Sequence, residues 1–154
     1  MNKVNMQSFK GRERARRFAM QALYSWVVAN HDIKDVEKFY RADRNPKNYD
    51  EAYFIHLINA VAAQTESLDS TITPYLDREF DEVDPIALTI LRIATFELQN
   101  SFDVPFKVVI HEAVDLAKVF GADDCHKFIN KVLDKMAKIM RSSEVEPLTE
   151  ACGG

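Results

Sequence analysis

Two groups of side chains have the types and spacing to do chemistry. In the stretch KGRERARRFAMQALYSW, from Lys10 to Trp26, five cations (Lys10, Arg12, Arg14, Arg16 and Arg17) crowd the start of a helical pattern. A cation in the first turn of a helix opposes the dipole by about 0.3–1 kcal/mol, so an anion is expected to compensate them. A solvated charged surface is the plain alternative. The second group, His111, Glu112 and Asp115, has the beginning of a zinc-protease pattern but lacks its second histidine. Zinc ligation from one helix face needs both, so a side-chain pair between His111 and Asp115 is expected instead of a metal site. His31, His56 and His126 sit in no sequence arrangement with a carboxylate or nucleophile, and no catalytic residue, metal or cofactor is expected.

A third, smaller signal is Lys127 beside Phe128. Lys127 falls in the first turn of the last helical pattern, where a cation is unfavourable. An aromatic ring beside a cation suits single-stranded RNA, the ring stacking on an unpaired base while the ammonium meets a phosphate. Phe128 also fits the apolar stripe of its own helix, which leaves a purely structural reading open.

These residues depend on helices for their placement. At about 100° per residue, Ala15, Phe18, Ala19, Ala22, Leu23, Trp26 and Val27 form a buried face. Lys10, Arg14, Arg17, Gln21 and Tyr24 fall on the opposite stripe, with Arg12 and Arg16 at the edge of the apolar face. A short helix follows around Ile33 to Arg41, then a loop from Asp43 to Asn48 that contains Pro46. A third helix starts near Asp50, carries Phe54, Leu57, Ile58, Val61 and Ala62, and is expected to run through Leu68 before Pro74 stops it. Asp84 and Pro85 read as N-cap and first helical residue of a segment to Leu98 that is apolar on nearly every side and therefore central. Pro105 opens another helix, Gly121 stands where a left-handed cap belongs, and Asp123 or Asp124 caps the last helix. Its core face is Phe128, Ile129, Val132, Leu133, Met136, Ile139 and Met140. Periodicity is lost after Arg141, which reads as a frayed tail.

Charge is divided along the chain. Through Arg17, six basic residues face one acidic residue, Glu13, a segment charge of +5; the whole chain is −4, so the rest carries −9. The densest acidic patch is DREFDEVD, Asp77 to Asp84. A polyanion for the basic head and a basic protein for the acidic patch are the partners such a distribution suits. The 154 residues suffice for one domain burying about 68–70% of its unfolded surface without a disulfide or metal. The scarcity of glycine, four in all, argues against hairpins, Gly-rich nucleotide loops and tight β-turns, and an all-α chain is expected. Cys125 and Cys152 form no metal-type or redox-type pair, and there is neither an apolar run long enough for a membrane span nor a signal segment. A cytoplasmic location with no membrane partner is the expectation.

RARRFAMQALYSW, PYLDREFDEVDPIALTILRIATFEL and DVPFKVVIHEAVDLAKVFGADDCHKFINKVLDK, in this order, resemble the NusB family of bacterial transcription antitermination factors. The blocks span well over half the chain. The resemblance implies an all-α fold of about six to seven helices in two three-helix halves, about 10–75 and 76–141 of a single domain 1–141, with 142–154 as a disordered tail. It further implies a non-enzymatic protein that binds boxA of nascent ribosomal RNA with ribosomal protein NusE, in an antitermination complex on RNA polymerase. Family RNA contacts map onto Arg12, Arg14 and Arg16, with Tyr24 further along, and the family's ADD/EDxHKF corner onto Asp124, His126, Lys127 and Phe128. With the basic stripe added, the expected RNA site is Lys10, Arg12, Arg14, Arg16, Arg17, Gln21, Tyr24, Lys127 and Phe128; the expected NusE contacts are Asp81, Glu82 and Asp124. Two departures are the first nine residues, which extend beyond the usual start, and Lys131, where the family often has glycine. His31 to Asn48 match too weakly to carry residues over. The alternative is the RNA-binding domain of an RNA-modifying enzyme; a DNA-binding helix-turn-helix is disfavoured because no short Gly-containing turn precedes a basic helix.

Overall fold

The apolar stripes become helices in the computed structural model, which describes residues 3–43 and 48–145. Among the described residues there is no strand, in agreement with the all-α expectation. The helices are α1 (Lys3–Ala29), α2 (Ile33–Asp43), α3 (Glu51–Ala63), α4 (Thr65–Ile72), α5 (Pro85–Asn100), α6 (Phe106–Phe120) and α7 (Cys125–Met140), with 3-10 turns at Thr73–Tyr75 and Phe80–Glu82. The chain forms two compact units, Met1–Thr65 and Glu66–Gly154. The division falls ahead of Pro74, and a bidentate pair explains why α4 goes with the second unit: Arg92 of α5 donates to both oxygens of Asp69 at 2.7 and 2.8 Å.

In the first unit α1 packs on α2 and α3, and α2 on α3. Ala15, Ala19 and Ala22 are fully buried on α1, small enough to let α3 approach with Phe54, Leu57, Ile58 and Val61. Gly11 lies directly against the start of α3. Its carbonyl accepts the Asp50 N–H at 3.1 Å, and a Cβ there would stand 3.3 Å from that nitrogen. Asp50 caps α3 by accepting the Tyr53 N–H at 3.0 Å. Replacing Asp50 with Ala should lower stability by about 1 kcal/mol through the lost cap, measured as an earlier urea midpoint.

The second unit is built around α5, which packs on α6 and α7 while these pack on each other. Every residue from Thr89 to Leu98 is buried, as the all-round apolar pattern requires. Asp84 caps α5 as expected, accepting the N–H groups of Ile86 and Ala87 at 3.0 and 3.3 Å with Pro85 as the first helical residue. At the other end of α5 the Arg141 guanidinium, 2% exposed, donates to the carbonyls of Glu97 (3.1 Å), Leu98 (2.9 Å), Ser101 (3.1 Å) and Val104 (3.0 Å), and to the Glu144 carboxylate. All five guanidinium N–H groups are thereby used. Glu144 also accepts the first N–H of α6, from Phe106, at 3.1 Å.

Several sequence expectations are corrected. The helix over 50–68 is two helices: the Thr65 hydroxyl donates back to the Val61 and Ala62 carbonyls at 3.0 and 3.1 Å, competing with the main-chain ladder where α3 ends. Gly121 is extended (φ −87°, ψ 169°) and not left-handed; it is glycine for space, since a Cβ would lie 2.7 Å from Cys125 Sγ and 2.8 Å from the Ala117 carbonyl. Asp124 carries the left-handed conformation (φ 69°), and its side chain makes no cap bond to α7. Val27 and Ile139, placed on core faces by periodicity, are exposed at helix ends. Residues 142–145 form a further helical turn that the loss of periodicity did not announce. The loop expected at Asp43–Asn48 falls mostly on 44–47, and the tail from 146 together with Cys152 also lies outside the described residues.

Candidate nucleic-acid interface

Helix α1 starts at Lys3, so the arginines stand in its third to fourth turns. The dipole acts within the first turn only, and the expected conflict between cations and helix N-terminus does not arise. What distinguishes the arginines is which side of α1 they occupy. Lys10, Arg14 and Arg17 are exposed, with Gln21 and Tyr24 half-buried on the same stripe. Arg14 donates to the Asn48 carbonyl at 2.9 Å, and Arg17 lies 3.6 Å from Glu13. Arg12 is half-covered: its guanidinium sits 4.5 Å over the Tyr53 ring and its Nε is 3.9 Å from Asp50. Arg16 is 2% exposed, 5.4 Å over the same ring. It joins α1 to α3 at that ring, a buried setting unlike the exposed one of Arg14 and Arg17.

The remaining expected contacts belong to the second unit. Lys127 is exposed and lies 3.3 Å from Asp124, itself exposed beside the turn into α7. Phe128 is half-buried, and the Arg78 guanidinium covers its ring at 4.1 Å. Arg78 is held by Asp77 (Nε to Oδ1, 2.9 Å), whose other oxygen is 4.0 Å from Lys131. The hydrogen bond from Arg78 keeps the Asp77 carboxyl below its ordinary range. The sequence reading missed Arg78 as the neighbour of Phe128; no helical spacing links residue 78 to residue 128. Asp81 and Glu82 are exposed on the Phe80–Glu82 turn.

The other candidate chemistry is ordinary. His111 Nε2 lies 3.2 Å from Asp115, the expected pair, while the neighbouring Glu112 is buried. Donor atoms of these three come within 4.8 Å of one another, but with one histidine the set is poor for zinc. Ser25 Oγ is 3.5 Å from His31 Nδ1 in a cleft that Asp35 also lines, a surface contact that lacks the short bond of a nucleophile and its base. Burial, aided by the Asp84 charge, pushes the Cys125 thiol up, away from a reactive thiolate. Among the described residues no helix is long and apolar enough to cross a membrane.

The sequence model of the NusB family matches residues 13–138. The transcription antitermination protein NusB of Hamiltonella defensa is 52% identical over 130 residues, covering 84% of this chain and 86% of the relative. That of Haemophilus ducreyi is 51% identical over 126 residues, 82% of this chain and 92% of its own. Among solved structures, T. maritima NusB superposes with a TM-score of 0.71 at 27% identity, over 83% of this chain and 91% of that one. A chain in the crystal structure of a plectonemic RNA supercoil does so with a TM-score of 0.77, also at 27% identity, over 84% and 95%. Fold and relatives define the class as helical transcription antitermination factors. The chain belongs to the NusB family.

Proposed function

We propose that this chain binds boxA of nascent ribosomal RNA together with ribosomal protein NusE, as a non-catalytic, cytoplasmic component of an antitermination complex on RNA polymerase. The observation that carries the reading is the α1 stripe, where Lys10, Arg14 and Arg17 are exposed in a row and Gln21 and Tyr24 continue the same face. The cations position the RNA backbone, and the planar and amide groups read the bases. Lys127 supplies a fourth phosphate contact and Phe128 a planar group, while Arg12 assists from beside Tyr53. Asp81, Glu82 and Asp124 offer carboxylates to a basic protein, and NusE is the partner assigned to them.

Four phosphate contacts at about 0.7 each give a slope of about −3 for log affinity against log salt. Titrating labelled boxA RNA across salt, with and without NusE, tests both parts. The expected result is that slope together with cooperative tightening by NusE. Salt-indifferent binding would overturn the RNA site, and an affinity unchanged by NusE would overturn the joint complex.

A further inference from the structure

We propose that Arg78 is the base-stacking residue of the second unit, with Phe128 as its backing plate; this rests on the RNA-binding reading above. A base cannot lie on the face of Phe128 that the Arg78 guanidinium already covers at 4.1 Å. A guanidinium is planar and delocalised, and its second face accepts an unpaired base as an aromatic ring does. Arg78 keeps 42% of its side chain exposed, so it is not sealed beneath other groups. Its plane is fixed from both sides that matter: the ring supports one face, and Asp77 holds Nε at 2.9 Å. A pre-fixed plane loses little freedom when a base settles on it, which favours binding.

The surroundings suit a nucleotide. Lys131, 4.0 Å from Asp77, is exposed and extends the positive rim, and Lys127 stands one residue before Phe128. The Asp77 carboxylate is occupied by Arg78 and Lys131, which limits its repulsion of phosphate. The result is a stack of ring, guanidinium and base with ammonium groups beside it. Both planes come from distant segments of one unit, so the platform exists only when that unit is folded.

The test uses the full chain and a single-stranded boxA RNA carrying 2-aminopurine, or an abasic site, at each position in turn. Arg78→Lys keeps the charge and removes the plane; Phe128→Leu keeps an apolar contact and removes the backing. For wild type, one position should show stacking-induced quenching and an abasic penalty of roughly tenfold. In Arg78→Lys both should disappear at that position while the salt slope stays the same, and in Phe128→Leu the quenching should weaken. Unchanged quenching and affinity at every position in Arg78→Lys would overturn the proposal while leaving the RNA-binding reading intact. Failure of wild type to bind the RNA at all would overturn that reading and the platform with it.

Discussion

Replacing Arg141 with Met is expected to destabilise the second unit by about 3–5 kcal/mol, the range for removing one partner from a buried charged cluster. The mechanism is specific. Without the guanidinium, Glu97 and Ser101 still accept the N–H groups of Ser101 and Val104, but the Leu98 and Val104 carbonyls lose this donor and Glu144 loses its cation. Arg141→Lys should recover only part of the loss, because one ammonium has three donors and cannot reach five acceptors around a plane. Urea unfolding is the measurement; a Met variant with the wild-type midpoint would show that the cluster does not stabilise the fold. Acid should reveal the same cluster. Burial works against the Glu144 charge, but the bonds from Arg141 and Phe106 outweigh it and hold the carboxyl below its ordinary value of 4.5. A depressed folded value stabilises fully above pH 4.5 and fades as pH falls through the lower value. Glu144→Gln should therefore lose less stability than wild type across that acid window.

The second large effect separates arginines that neighbour one another in sequence. Reversing Arg14 and Arg17 to Glu should weaken binding of boxA and scrambled RNA alike by about 100-fold or more near 0.1 M salt, at roughly 1.5–3 kcal/mol for each charged contact. The salt slope should become shallower by about 0.7 for each contact removed, with little change in thermal midpoint. Arg16→Glu should do the opposite, burying a carboxylate between α1 and α3 and unfolding the first unit. Arg16→Gln keeps hydrogen-bonding capacity and should bind RNA normally while melting earlier. If Arg16→Gln lost RNA affinity at an unchanged midpoint, the buried role would be wrong and a direct contact restored.

Local rules were readable in the sequence, and contacts between distant segments were not. Asp84 with Pro85, the all-round apolar run of α5, and the His111–Asp115 pair all follow from neighbours within a turn or two, and each stands as expected. The outward stripe of α1 is likewise a matter of angle, and Lys10, Arg14 and Arg17 are exposed on it. Arg16 was not legible because the same angle puts it at the edge of the apolar face, and a contact from another helix, the Tyr53 ring, helps turn that edge into interior. Gly121 was read through backbone conformation, its commonest use, whereas the limiting factor is the sulfur of Cys125. Arg78 over Phe128 and Arg141 over the end of α5 join residues dozens of positions apart, beyond any helical period.

The Arg141 cluster also has a temporal side. Its guanidinium reaches back 43 residues to Leu98 and 44 to Glu97, so the end of α5 must wait for a group made much later. During synthesis from the N-terminus, at about 5–20 residues per second, α1, α2 and α3 can assemble while α5 is still without the group that closes it. For those seconds the central helix of the second unit, buried in the folded protein at every residue from Thr89 to Leu98, is out of the ribosome and incompletely sheltered. Mutations that slow the arrival or weaken the grip of residue 141 should therefore appear first as aggregation of newly made protein, before any loss of function in the molecules that reach the folded state.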